Sequence, residues 1–399
     1  MTDLHTPLRL GHHGIAGVWR HLLPHVEGLP LPTERFAPCN ACPQVEAGAF
    51  VAACKCCGYL PQVPNYLLGL ALQNEATAPL VRAVIAAGNA LPQGTDMSPA
   101  RFRRSVALDS ADGYGTDPVM ACPFLVDGGC GIYAYRNAVC STYFCTHDHG
   151  DVGEEFWTHL QSLFGAAESA VCQWAMGRAG RAWSDVVDAL AHLSDDLDGL
   201  STPDEAWTPA ALDAVWGPWR GREEAFYRAC ADAISAEGDA LWAVVQDWPT
   251  TEAVAFLTAR RAWIPEDQRH EVPEIDDGTV ERMSNEDLWT VVQGLSAELE
   301  YLPLGERVWL AEGVRWDPPN RKLPLLFGNR HQIHGGNWLF WATDDEIGLL
   351  EHFAGGLTLT AAWLASSAVS AVEDGEGFIA QCLRRGLLVV EGSEASPEP

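Results

Sequence analysis

The sequence predicts a mainly α-helical chain with two departures: an irregular cysteine-rich module in the first half and a small α+β unit near the C-terminus. Three observations carry this. Apolar residues recur at three- and four-residue steps through the middle third. Nine of the twelve cysteines fall between Cys39 and Cys145. Residues 301–391 mix short apolar runs with helix-capping patterns.

Residues 1–37 form an N-terminal segment rich in histidine, glycine and proline, with one short helix expected over Gly14–Leu23. Gly28–Pro38, with Pro30, Pro32 and Pro38, reads as an extended connector. Residues 38–150 hold the cysteine module, interrupted by a helical pattern over Val63–Ala87 that carries Leu67, Leu68, Leu70, Leu72, Leu80 and Val84. A polar stretch, Gly88–Asp117, bridges its two cysteine groups.

Residues 151–300 form a helical domain. From Val152 to Trp183, the residues Phe156, Leu160, Leu163, Phe164, Ala167, Val171 and Trp174 mark one broad buried face. Further helices are expected over Trp183–Leu197, Thr208–Val215, Arg222–Val245 and Thr250–Ala262, punctuated by Pro209, Pro218 and Pro249. The tryptophans here read as core filling.

The third part, residues 301–391, begins with short strands at Val308–Ala311 and Trp338–Trp341. Thr343-Asp-Asp-Glu346 is a capping box that opens a helix with Ile347, Leu350 and Phe353 on one face. A second helix starts near Thr358, a third spans Glu373–Arg385, and Leu387–Val390 is a strand after Gly386. Three short helices followed by a strand resemble a winged-helix unit. The acidic tail, residues 392–399, is expected to be disordered.

The net charge of −29 argues against nucleic acid as a partner, because phosphate binding needs a basic surface. Arg101, Arg103 and Arg104 are the one tight basic cluster, and Lys55 and Lys322 are the only lysines. The absence of both a long apolar run and a basic-then-apolar leader makes a cytoplasmic protein without a membrane partner the expectation. In a reducing compartment, twelve cysteines point to metal or redox chemistry before disulfides.

The first cysteine group is Cys39-Asn-Ala-Cys42, then Cys54-Lys-Cys56-Cys57-Gly58. The second is Cys122-Pro-Phe-Leu125, Cys130-Gly-Ile-Tyr133, Arg136, Cys140 and Cys145. Thiolates grouped in this way suit an iron–sulfur cluster or zinc or iron ions. The turn of a CxxC pair aims both sulfurs at one metal, and Gly58, Gly128, Gly129 and Gly131 allow a backbone tight enough to wrap it. Cys39, Cys42, Cys54, Cys57, Cys122, Cys130, Cys140 and Cys145 make two sets of four, and Cys56 is a ninth candidate. Lys55, between the cysteines, reads as a solvated side chain.

The second group resembles the YkgJ-type cysteine-cluster family of zinc- or iron-chelating proteins, over roughly residues 38–175. The resemblance lies in Cys122-Pro-Phe-Leu125, Cys130-Gly-Ile132-Tyr133, Arg136, Cys140 and Tyr143-Phe144-Cys145. Asn137 stands where that family has proline, Ser141 where it has arginine, and Cys42 and Cys54 are twelve residues apart where the family packs them closely. The resemblance implies that Tyr133 and Arg136 support the centre, the arginine balancing thiolate charge and the ring covering it. Flagellin lysine methylases resemble the same family. A peptide-modifying enzyme with a peptide or protein substrate is therefore one expectation, beside a redox enzyme and a non-catalytic zinc scaffold or metal carrier. The winged-helix-like pattern, which also occurs in precursor-peptide recognition, leans the same way.

His147 and His149, just after Cys145, are further ligand candidates, and so is Cys172, one helical turn after Glu168. His12, His13, His21 and His25 read as a polar N-terminal segment, His331-Gln-Ile-His334 is a weak pair in an expected loop, and Cys230 and Cys382 read as core. Gly11-His-His-Gly14 and Gly113-Tyr-Gly115 lack the strand–turn–helix context of a nucleotide loop, and neither GxSxG nor HExxH occurs.

Overall fold

In a computed structural model the described residues are 4–10, 13–23, 31–32, 34, 39–111, 113–193, 197–246, 250–263, 306–317, 331–335, 338–372, 375–384 and 387–391. Most of the expected connector after Gly28, His12, His25, residues 264–305 and the acidic tail lie outside them. The chain divides into two compact units, Met1–Pro265 and Glu266–Pro399.

The first unit is mainly helical. A hairpin of β1 (Leu8–Leu10) and β2 (His13–Ile15) precedes a single helical turn, α1 (Trp19–Leu22), so the expected helix over 14–23 begins several residues late. After a turn, α2 (Pro43–Glu46), the pattern over 63–87 resolves into α3 (Asn65–Gln73) and α4 (Ala78–Ala86). The break falls at Asn74, whose side-chain oxygen accepts the Ala76 N–H and whose backbone turns extended. The polar bridge is not a loop. It folds as a hairpin, β3 (Ala90–Leu91) with β4 (Gly94–Thr95), and a helix, α5 (Pro99–Ser110), that Ser98 caps through the Arg101 N–H.

The long amphipathic pattern forms α7 (Gly150–Arg178), after a short α6 (Ala138–Thr142). Helices α8 (Trp183–Leu193) and α9 (Pro209–Trp216) follow. The single helix expected over 222–245 is two, α10 (Glu223–Glu237) and α11 (Leu241–Gln246), because Gly238 takes a left-handed φ of 57° and ends the first. Helix α12 (Thr250–Trp263) completes the unit along α7, with Phe156 against Phe256. Helix α3 is buried on every side, and α10 crosses it so closely that a Cβ on Gly69 would stand 1.9 Å from the Tyr227 carbonyl oxygen. Trp19 stacks on Phe164 at 3.9 Å between centroids, tying the N-terminal turn to α7.

In the second unit β7 (Arg307–Leu310) is the centre of an antiparallel sheet between β11 (Leu357–Thr358) and β12 (Leu388–Val390). A separate antiparallel sheet joins β8 (Arg315–Asp317), β9 (His331–Gly335) and β10 (Trp338–Ala342). Helices α13 (Asp344–Glu351), α14 (Ala361–Leu364), α15 (Ser367–Ser370) and α16 (Gly375–Arg384) supply the rest of a core that includes Val308, Leu350, Phe353, Ile379 and Cys382. The capping box forms as the sequence implies: Thr343 Oγ1 accepts from the Glu346 N–H at 3.2 Å and Glu346 Oε2 from the Thr343 N–H at 2.6 Å. His331 and His334 lie on a strand, not in a loop.

Candidate metal centre

The first cysteine group is held by a 3₁₀ turn, Lys55–Cys57, entered through a left-handed Lys55 at φ 53°. That backbone turn sends the lysine inward. Lys55 is buried, and its Nζ donates to the Cys39 carbonyl at 2.6 Å and to the Gly128 carbonyl at 3.1 Å. The solvated lysine of the sequence reading is thus an internal clamp between the two cysteine groups, with carbonyl oxygens in the place of water.

Residues from the polar bridge close over this turn. The Val51 N–H and the Cys54 thiol both donate to the Gly115 carbonyl, each at 3.0 Å, and the Tyr114 hydroxyl donates to the Cys56 carbonyl at 2.5 Å. Gly115, at φ 73°, leaves no room for a side chain, since a Cβ there would lie 2.4 Å from Phe50. Tyr114 and Tyr59 are site residues that the sequence reading missed. Their signal was weak, a Gly-Tyr-Gly step and an aromatic two residues past Cys57.

The Cys122 N–H donates to the Cys57 carbonyl at 2.7 Å, which joins the second group to the first. A hairpin follows, β5 (Leu125–Val126) with β6 (Gly129–Cys130), through Asp127 and Gly128, both at positive φ. This Asp-Gly turn sets Cys130 opposite Leu125. Asn137 caps α6, accepting from the Cys140 N–H at 3.1 Å, and also donates to the Gln62 carbonyl at 2.9 Å. A proline in its place could do neither. Arg136 donates to the carbonyls of Cys140 and Gly14, each at 2.8 Å, and its guanidinium lies 3.9 Å from the Tyr133 ring centroid.

These elements enclose a cavity of about 690 Å³. Its walls include Cys39, Cys56, Cys57, Cys122, Cys130, Cys140 and Cys145, with Lys55, Arg136 and the rings of Tyr59, Tyr114, Tyr133 and Tyr143. Seven of the nine candidate cysteines therefore come together. Cys42 and Cys54 are buried outside the lining, the Cys54 thiol being used by Gly115. The Tyr59 hydroxyl is 3.8 Å from Cys140 Sγ. All the cysteines are free thiols, and among the described residues no three Cys, His, Asp or Glu side chains stand together at metal-holding geometry.

The other candidates lie elsewhere. His147 Nδ1 is 3.6 Å from Oε1 of buried Glu34, and the His149 ring meets Trp263 edge to face at 4.4 Å. Neither histidine lines the cavity. The Cys172 thiol donates to the Gln93 carbonyl at 3.0 Å within the core of α7. The neighbouring Glu168 is fully buried, with Oε2 accepting from the Ala138 N–H, the first of α6, at 2.8 Å.

Electrostatically the cavity favours protonated thiols. Burial, set against backbone N–H groups and the Tyr59 hydroxyl, pushes Cys122 and Cys140 up to about 12. Cys56 also rises to about 12, where the Cys145 contact pulls down and the Cys57 contact and burial push up. Cys145 is raised chiefly by Cys56, and Cys130 by burial, against Arg136. Thiols held this way are poor nucleophiles at neutral pH. A cation that displaces their protons would relieve the mutual repulsion of the thiolates, and soft sulfur donors in this number suit zinc or iron.

Compared with family models, with curated proteins and with solved structures, the chain matches none. Among the described residues no helix is long and apolar enough to cross a membrane.

Proposed function

We propose that this cavity is a thiolate metal centre, binding zinc, iron or an iron–sulfur cluster, and that the cysteine segment is a metal-binding module of the YkgJ type. One observation carries the reading: seven cysteine side chains from distant parts of the chain line a single cavity, with their backbone joined by the Lys55 clamp and the Cys122–Cys57 hydrogen bond. Thiols serving only as small apolar side chains would be dispersed through the core, as Cys172, Cys230 and Cys382 are. In this reading Arg136 offsets thiolate charge and Tyr133, held by that guanidinium, screens the site.

The test is metal analysis of anaerobically purified protein. A brown protein that bleaches on reduction indicates an iron–sulfur cluster and redox use; a colourless protein with stoichiometric zinc removes the redox use. Replacing Cys130 with serine is expected to lower metal content, and unchanged content would overturn the ligand assignment.

The second unit favours one extension, a modifying enzyme that recognises a peptide. Its antiparallel β11–β7–β12 sheet, backed by α13 to α16, supports a winged-helix-like reading. Fluorescence anisotropy with labelled candidate peptides tests this, and binding that survives deletion of residues 301–399 would refute it.

A further inference from the structure

The cavity is larger than metal binding needs, and its walls away from the sulfurs have a polarity of their own. A zinc ion stands about 2.3 Å from its sulfur ligands and adds little to their bulk, whereas pockets for small organic molecules run from about 300 to 1,000 Å³. At about 690 Å³ the cavity is of the second kind. Its floor is apolar: Val63, Phe124 and Ile132 line it and are each no more than 2% exposed. Tyr59 and Tyr114 lie 6.5 Å apart between ring centroids. Their hydroxyls face Cys140 Sγ and the Cys56 carbonyl, so what they add to the wall is mainly ring carbon. Among the lining residues Val106, Asp109, Tyr133 and Tyr143 are exposed, and they mark the mouth.

Asp109 is the one carboxylate in this lining, and among the described residues it has neither an ion pair nor a side-chain hydrogen bond. Ser105, one turn earlier on α5, adds a hydroxyl to the same wall. The two cations of the wall are already engaged, Lys55 by two backbone carbonyls and Arg136 by two carbonyls and the Tyr133 ring. We propose that the cavity is also a binding pocket for a small organic amine with an aromatic or apolar body. The body is seated on Val63, Phe124 and the tyrosine rings, and the ammonium group stands at the mouth on Asp109. Ring faces at the mouth attract a cation, and a chain of net charge −29 draws cations toward it. An acid of the same shape meets Asp109 as a like charge. The inference goes beyond metal binding and does not rest on it, because no side chain it uses is a proposed thiolate ligand.

The experiment titrates the full chain, as purified and after metal removal under reducing conditions, by isothermal calorimetry. The probes are 2-phenylethylamine, 3-phenylpropionate of nearly the same shape and opposite charge, and ethylamine, which lacks the ring. The first is expected to bind at least tenfold more tightly than either of the others, in both preparations. Asp109→Asn is expected to weaken it at least tenfold. Asp188→Asn, which removes an exposed carboxylate of α8 away from the lining, is expected to leave it unchanged. Both positions are exposed on helices, and circular dichroism checks that each variant keeps the wild-type fold. No binding of 2-phenylethylamine at millimolar concentration, equal binding of the acid, or an Asp109→Asn affinity within twofold of wild type overturns the amine pocket. So does an equal loss in Asp188→Asn, or binding that disappears with the metal. Metal content measured on the same samples keeps the two readings apart. Metal without amine binding sinks the pocket alone, whereas amine binding by a chain that takes up no metal sinks the metal centre alone.

Discussion

Glu168→Gln should remove a pH dependence from the stability of the first unit. The Glu168 carboxyl is fully buried beneath α6, and burial pushes it up to about 8 from an ordinary 4.5, against the pull of the Ala138 N–H. Folding therefore favours the protonated acid. The unfolded chain loses this proton near pH 4.5 and the folded chain only near 8, so stability is complete at acid pH and falls as pH rises between those values. At pH 7 the difference is about 3 kcal/mol, from 1.36 kcal/mol per pKa unit. Glutamine keeps an oxygen for the Ala138 N–H and has no proton to lose. The variant should match the wild type near pH 5 and exceed it near pH 7 to 8, with a melting temperature higher by roughly 6–10 °C in a unit of this size. Urea and thermal unfolding followed by circular dichroism at several pH values measure this, in the presence of chelator. Parallel wild-type and Glu168→Gln profiles across that range would refute the burial argument.

Gly69→Ala forces a methyl against the Tyr227 carbonyl, 1.9 Å from the ideal Cβ, and should cost about 3 kcal/mol in chemical denaturation as α3 and α10 are pushed apart. Lys55→Met removes the ammonium shared by the Cys39 and Gly128 carbonyls; a loss of about 2 kcal/mol and lower metal occupancy are expected, read by denaturation and elemental analysis. Thr343→Ala breaks the capping box and should destabilise the second unit by about 1 kcal/mol, measurable as faster amide exchange in α13. Metal affinity should rise steeply with pH, because thiols pushed up to about 12, such as Cys122 and Cys140, give up protons on binding. A pH-independent affinity in chelator competition would contradict thiol ligation.

Where local chemistry dominates, the sequence was enough. The α7 face and the Thr343–Glu346 capping box are short-range patterns, and each forms as its residues imply. Helix boundaries at Asn74 and Gly238 were less legible, because a continuous apolar pattern hides a break decided by one side chain or one left-handed residue. The buried state of Lys55 was not legible at all. It depends on carbonyls at Cys39 and Gly128, sixteen and seventy-three residues away.

The sequence by itself determined that thiols are concentrated in one region and that most of the chain is helical, since both follow from composition and short-range periodicity. Only the tertiary structure decided which thiols share a space. CxxC spacing makes Cys39 and Cys42 look like equal partners, yet Cys39 reaches the cavity and Cys42 is buried outside its lining. Cys54 is likewise turned to a carbonyl of the polar bridge. Spacing limits how two side chains can meet, whereas long-range hydrogen bonds such as those to Lys55, Gly115 and Cys57 decide what each one faces.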